Sequence, residues 1–224
     1  MKMKLNISVE YGRTIVSNVL EKAKNTGLTI ESETESIGKI ANEVLSYVYS
    51  SRGAFMEGFV RVKSGQRWGF VNFALEEVVS PVYGEAGDVH EGYARVRMNG
   101  KWKLLEFIGR DIPAELHNER DFDDASDVCN GLSRVCIDGK YGFYSPEQGK
   151  MVIPCIYEDA RIFTLDRDYT AVMEDGLWGL VRMDGEIIVE PVFDQIVFTD
   201  NRFSATIDGT RYVGGPDGEY YEAE

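Results

Sequence analysis

The chain has 224 residues, 43% hydrophobic and 28% charged, and 24 basic against 38 acidic side chains give a formal net charge of −14. That is enough chain for one or two domains with a sizeable core, and no apolar run reaches the 18 residues of a membrane-spanning helix. The acidic excess repels nucleic-acid phosphates and anionic lipid heads, so no nucleic-acid or membrane partner is expected; it favours solubility and suits a basic protein partner. The N-terminus carries positive charge with no long apolar stretch behind it, so a secretory signal is not expected. Cys129, Cys136 and Cys155 are too few and too irregular for a disulfide framework or a zinc site. Reduced thiols packed as small hydrophobes, and a cytoplasmic location, are the expectation.

In chain order, Leu5, Ile7 and Val9 alternate as in a short strand. Ile15, Val16, Val19, Leu20 and Ala23 share one face of a predicted helix that Gly27 would stop, and Leu28-Thr29-Ile30 suits a second strand. Ser36 fits a helix N-cap, and Ile37, Ile40, Ala41, Val44, Leu45 and Val48 behind it keep an i, i+3, i+4, i+7 rhythm. Residues 1–52 are thus read as a helical or α/β capping segment over the open end of a β array formed by the rest of the chain, with a separate small module as the alternative.

From residue 53 onward a repeat takes over. Ser64-Gly65, Asn99-Gly100, Asp138-Gly139, Asp175-Gly176 and Asp208-Gly209 are hairpin-turn dipeptides, and their glycines are 35, 39, 37 and 33 positions apart. A type I′ turn needs positive φ at both central residues, which Asn, Asp and Gly tolerate. After the turns come Trp68-Gly69-Phe70, Trp102-Lys103-Leu104, Tyr141-Gly142-Phe143, Trp178-Gly179-Leu180 and Tyr212-Val213-Gly214. Before them stand alternating runs such as Tyr93, Arg95 and Arg97 against Ala94, Val96 and Met98, the mark of a strand with one buried face. A third segment carries β-branched residues, then Pro81, Pro154 or Pro191, then an aromatic residue. Proline cannot donate to a ladder, so it should end the strand or sit on an edge. The second unit is longer, with Pro113 early and Phe122 in the aromatic place, and the last unit is truncated.

This pattern resembles the WG-repeat (KWG-repeat) family over roughly residues 55–224. The clearest matches are Gly176-Leu177-Trp178-Gly179-Leu180 with Asp184-Gly185 and Pro191-Val192-Phe193-Asp194, and Arg67-Trp68-Gly69-Phe70. Lys103 and Val213 depart from the glycine that follows the aromatic. The resemblance implies a bacterial origin, repeated β units and no established catalytic chemistry. The fold class is therefore mainly β: five WG-type hairpin or three-strand repeats over residues 53–224, solenoid, propeller-like or closed into a barrel, behind the 1–52 segment. One hairpin with a short third strand cannot bury its own apolar face; stacked neighbours can, with one large aromatic per junction and a glycine beside it for close backbone approach or a bulge.

Chemical motifs are sparse. His90 and His117 are not in metal-ligand spacing, and no G-x-S-x-G, P-loop or G-x-G-x-x-G occurs, so no catalytic residue, cofactor or metal is assigned. Asp121, Asp123, Asp124 and Asp127 begin like a calcium loop but have Ser126 at the glycine place and Leu132 at the glutamate place. Arg61, Arg95 and Arg134 each precede a valine on the first strand and would form an outward column, either paired to local carboxylates or a strip for an acidic or planar ligand. These arginines and the four aspartates are the candidate interaction surface. The expected function is a non-catalytic protein-binding or scaffold module, in one version an acidic inhibitor of a basic partner. The alternatives are a carbohydrate binder using exposed Trp68, Trp102 and Trp178, or a small-ligand binder or enzyme with a site between the N-terminal segment and the repeats.

Overall fold

The structure is a computed structural model that describes residues 17–18, 21–22, 25, 37–109, 114–116, 120–200 and 202–223. The predicted strands at 5–9 and 28–30, the apolar face from Ile15 to Ala23, Gly27, the Ser36 cap, Pro113 and His117 lie outside these residues. Ser17, Asn18, Glu21, Lys22 and Asn25 are helical.

The described residues form one further helix and five four-stranded antiparallel sheets, each with its strands in chain order. Helix α1 is Ile37–Val48. The first sheet is β1 (Ser51–Arg52), β2 (Phe59–Ser64), β3 (Arg67–Asn72) and β4 (Glu77–Tyr83). The second is β5 (Glu85–Ala86), β6 (Tyr93–Met98), β7 (Lys101–Glu106) and β8 (Glu115–Leu116). The third is β9 (Asp124–Ala125), β10 (Ser133–Ile137), β11 (Lys140–Ser145) and β12 (Lys150–Tyr157). The fourth is β13 (Asp159–Ala160), β14 (Tyr169–Glu174), β15 (Leu177–Arg182) and β16 (Ile187–Phe193). The fifth is β17 (Gln195–Thr199), β18 (Arg202–Ile207), β19 (Thr210–Gly214) and β20 (Tyr220–Glu222). Four-stranded meander sheets in series are the expected mainly β repeat array.

The chain divides into two compact units, residues 1–99 with 105–115, and residues 100–104 with 116–224. The division does not fall after residue 52. In the first unit α1 buries Ile40, Ala41, Val44 and Leu45 against Val60, Val62, Val71, Ala74 and Leu75, so the helix shares a core with the first sheet. The other face of that sheet, Phe59, Phe70 and Val79, packs with Val89, Ala94, Val96 and Leu105. In the second unit Phe143 and Ile153 pack with Val172 and Val181, and Tyr169, Ala171, Trp178 and Leu180 pack with Ile196, Phe203 and Ala205. The fourth sheet is therefore buried on both faces, which is why its strands read almost continuously apolar.

The hairpin turns form as predicted at Asn99, Asp138, Asp175 and Asp208, with φ of 49–53°, and at the glycines after them, with φ of 76–82°. The first turn differs by one residue. Ser64 pairs with Arg67, so the central residues are Gly65 and Gln66, and only Gly65 (φ 58°) is left-handed. A glycine at the first central place is the type II′ arrangement. The structure adds a second turn series beyond the five predicted turns. Glu57-Gly58, Glu91-Gly92 and Asn130-Gly131 are also left-handed, closing the pairs Met56–Phe59, His90–Tyr93 and Cys129–Leu132.

The Trp-Gly motif is the seat of a bulge. Trp68 faces Tyr83 and Phe70 faces Val79; Tyr141 faces Tyr157 and Phe143 faces Ile153; Trp178 faces Phe193 and Leu180 faces Val189. Two residues on one strand thus oppose four on the next, and the surplus contains Pro81, Pro154 or Pro191. These prolines lie inside the outermost strand of each sheet rather than ending it, because the bulged edge asks nothing of the missing N–H. The sheet boundary also falls within the third sequence segment: Tyr83, Tyr157 and Phe193 close one sheet, and Glu85-Ala86, Asp159-Ala160 and Gln195-Ile196 open the next.

Candidate binding surfaces

The arginine column sits between sheets. Arg61 Nη1 donates to the Ala86 carbonyl (2.5 Å), its Nε lies 2.9 Å from Asp88 Oδ1, and its guanidinium lies over Trp68 at 5.1 Å. Arg134 Nη1 donates to the Ala160 carbonyl (2.8 Å), its Nη2 lies 3.2 Å from Asp124 Oδ2, and it covers Tyr141 at 4.9 Å. In the fourth unit, where Ala171 holds the column position, Arg161 takes over: Nη2 donates to the Ile196 carbonyl (3.1 Å) and the guanidinium lies over Trp178 at 5.3 Å. Ala86, Ala160 and Ile196 all belong to the outermost strand that opens the next sheet. Each arginine thus satisfies an edge carbonyl that would otherwise invite strand pairing. Arg95 is half-buried on β6, its carbonyl accepting from the Gly87 N–H (2.9 Å).

The aspartates are likewise placed by the repeat. Asp121 pairs with Lys103 at 2.5 Å, Asp123 with Lys101, and Asp124 with Arg134. Asp127 is half-buried, with the Ser126 hydroxyl donating to its carbonyl (2.9 Å). Asp123 Oδ2 also accepts the Asp138 N–H at 2.8 Å, at the hairpin turn. Glu158 accepts the Gly176 N–H (3.0 Å) and Asp194 the Asp208 N–H (2.8 Å) in the same way. The acid after each of these units' aromatics therefore caps the following hairpin. Among the described residues no group of three His, Cys, Asp or Glu could hold a metal.

The hydrogen bond from Lys101, followed by that from the Asp138 N–H, holds the Asp123 carboxyl below the usual aspartate range. A carboxyl depressed in the folded state stabilises the fold above its unfolded pKa, about 3.9, and loses that contribution as pH falls through the lower folded value. The thermal midpoint should therefore begin to fall as the pH drops below about 4. Asp123→Asn should lower the midpoint at pH 7 and flatten this part of the profile, as a pH series of melting curves would show. Burial pushes the Cys155 thiol up to about 11, which marks it as an inert packed group.

The tryptophans make a poor carbohydrate platform. Trp102 and Trp178 are only 8% and 9% exposed, and half-buried Trp68 is covered by Arg61 and Lys63. Iodide should quench the native fluorescence weakly, and far more after denaturation; equal quenching before and after would restore the platform. Between α1 and the first sheet the described residues form a filled apolar core.

One face remains. On β18, Phe203 and Ala205 point into the core, leaving Arg202, Ser204 and Thr206 on the opposite face. Register places Val197 and Val213 beside Ser204, Arg211 beside Thr206, and Tyr221 beside Val213. Counted from the turn, Arg211 occupies the place of Trp68, Tyr141 and Trp178, since Thr206–Arg211 matches Lys63–Trp68, Cys136–Tyr141 and Met173–Trp178. The expected alignment of Tyr212 with those aromatics is thus off by one, and Tyr212 instead stacks edge-on with Tyr220 at 5.6 Å. Arg202 similarly stands where the inner sheets have Phe59, Tyr93, Leu132 and Tyr169. A groove of about 860 Å³ runs over this face, bordered by Arg202, Arg211, Val213 and Tyr221 together with the acidic Asp200, Asp217 and Glu219. Arg211 Nε donates to Ser204 Oγ (3.0 Å), and among the described residues no carboxylate lies within ion-pair reach of either arginine. The sequence signal was available: arginine at two positions where every earlier unit is apolar.

The model of the WG containing repeat matches residues 68–102, 141–178 and 178–210. The chain is a WG-repeat protein. Each match runs from one sheet's aromatic into the next sheet's hairpin, so the WG repeat and the folded sheet are offset. No curated protein matches the chain. Similar solved structures include Hsv2 of Kluyveromyces lactis with loop 6CD replaced by a Gly-Ser linker (12% identity, TM-score 0.47, covering 77% of this chain and 67% of that one). Hsv2 of Kluyveromyces marxianus is another (13%, TM-score 0.46, 72% and 58%). A third is PorZ, a bacterial surface component of the type-IX secretion system of Porphyromonas gingivalis (6%, TM-score 0.41, 75% and 25%).

Proposed function

We propose that this WG-repeat protein is a non-catalytic protein-binding module of the bacterial cytoplasm. The observation that carries the reading is how the recurring polar residues are used. The arginines bond edge carbonyls, the acids cap hairpins and the aromatics are packed, so the repeat chemistry is spent on architecture. What remains for recognition is what differs among the units, and a repeat array offers that as an extended surface suited to another protein. Affinity capture with the tagged full chain under cross-linking, from extract of the source cell, tests the reading. A stoichiometric protein that re-forms the complex from purified components is expected; recovery of none would end it.

A further inference from the structure

We infer that Leu75 is a positioning residue, a leucine held in a glycine conformation so that the turn around it seats the N-terminal helices on the first sheet, and that the docking of those helices and the closing of that turn are coupled.

Internal comparison is the argument. In the third, fourth and fifth sheets the turn into the outermost strand is closed by the N–H of a left-handed glycine. Gly149 donates to the Pro146 carbonyl (3.1 Å), Gly185 to that of Arg182 (3.0 Å) and Gly218 to that of Gly215 (3.1 Å), with φ of 64°, 96° and 82°. In the first sheet the same bond runs from the Leu75 N–H to the Asn72 carbonyl (3.0 Å), and Leu75 has a φ of 58°. A side chain in this conformation crowds its own backbone, so leucine is strained where glycine is not. Such strain persists only where the surroundings over-determine it.

The surroundings here are the helices. Leu75 is 2% exposed and belongs to the core that joins Ile40, Ala41, Val44 and Leu45 of α1 to the first sheet. Its carbonyl accepts from Lys22 Nζ, and the next carboxylate, Glu76 Oε1, accepts from Asn18 Nδ2 (3.0 Å). Asn72 shapes the turn from within, its Oδ1 accepting the Ala74 and Glu76 N–H groups, both at 3.0 Å. One turn therefore offers the helices an apolar side chain, a carbonyl and a carboxylate together. The face beneath them is the one that an inner sheet gives to its predecessor. Val62 and Val71 correspond to Val172 and Val181 of the fourth sheet, which pack on Phe143 and Ile153 of the third. The helix α1 stands in that place on the first sheet, and Leu75 is where the repeat's turn departs from glycine to hold it there.

The test follows amide exchange by mass spectrometry in the full chain. Leu75→Gly relaxes the turn and removes the anchor. Exchange across α1 should then quicken by about tenfold or more, while the fourth sheet, in the other compact unit, keeps its rates. An unchanged rate across α1, or an equal rise in both units, overturns the inference. Asn18→Ala with Lys22→Ala leaves every core residue in place, so it reads the coupling even if Leu75→Gly does not fold. Residues 72–76 and α1 should exchange together about fivefold faster in it. Faster exchange confined to residues 17–25 overturns the coupling. Gly149→Leu reads the strain alone, because a Cβ there would meet nothing within 4 Å. Its melting temperature should fall by about 3 °C. An unchanged melting temperature shows that leucine takes this conformation freely, and overturns the inference that Leu75 is held in it by the helices.

Discussion

Gly179→Ala should destabilise the second unit by about 3 kcal/mol, the upper end of what inserted atoms cost in a packed interior. A Cβ on Gly179 would lie 2.6 Å from the Val189 carbonyl oxygen and 2.9 Å from the Pro191 nitrogen. Both are backbone atoms of β16 held by the bulge opposite Trp178 and Leu180, so no side-chain rotation relieves the contact. The strand must move or the bulge must open. Gly176→Ala is the matching control. Its φ is 77° and a Cβ there would meet nothing within 4 Å, so the cost is backbone strain alone, about 1 kcal/mol. Urea unfolding of the two variants separates a packing demand from a conformational one. Equal loss at both positions would show that the Trp-Gly glycine serves only backbone freedom. Gly69 and Gly142, with backbone carbonyls at 2.3 and 2.5 Å from an added Cβ, should behave like Gly179.

Phe193→Ala should cost about 4 kcal/mol, in the range for deleting a fully buried phenylalanine. Phe193 is fully buried, faces Trp178 across the ladder, and has Phe203 at 5.6 Å and Tyr220 at 5.0 Å. It is the last residue of the fourth sheet, yet it packs with Ile196, Phe203 and Ala205 of the fifth. Truncation empties the joint between two sheets, and neither sheet can close over the void without moving the other. Phe193→Leu, which keeps most of the volume, should cost about 1.5 kcal/mol or less. A thermal denaturation series reads both. If alanine costs no more than leucine, the joint collapses freely and the aromatic is not what couples the sheets.

Several features of the fold were legible because their physics is local. Asn99-Gly100, Asp138-Gly139, Asp175-Gly176 and Asp208-Gly209 announce left-handed turns, since few residue types tolerate positive φ in succession. The spacing of those turns announced a repeat, and the rhythm from Ile40 to Val48 announced α1. Asn130-Gly131 carries the same signal, whereas Glu57-Gly58 and Glu91-Gly92 gave a weaker one because glutamate is not a habitual left-handed residue.

The candidate site was less legible. Arg61 and Arg134 read as an outward column because alternation separates two faces of a strand but does not say what covers each face. The next sheet covers that face, and its edge carbonyls at Ala86 and Ala160 take the guanidinium N–H groups. Arg202 and Arg211 stayed hidden because the tyrosine beside the fifth turn, Tyr212, mimics the repeat's aromatic while lying one residue from its true register.

By itself, then, the sequence determined the turns, the strands, the aromatic beside each turn and the existence of a repeated unit, all set within a few residues by φ preference and side-chain alternation. The tertiary structure alone decided where one sheet ends and the next begins. Tyr83, Tyr157 and Phe193 finish a sheet and, after one intervening residue, the chain starts the following one, a choice set by pairing with strands still to come. The same long-range pairing turned a column of arginines into ties between sheets and left two others, Arg202 and Arg211, beside the groove over the fifth sheet.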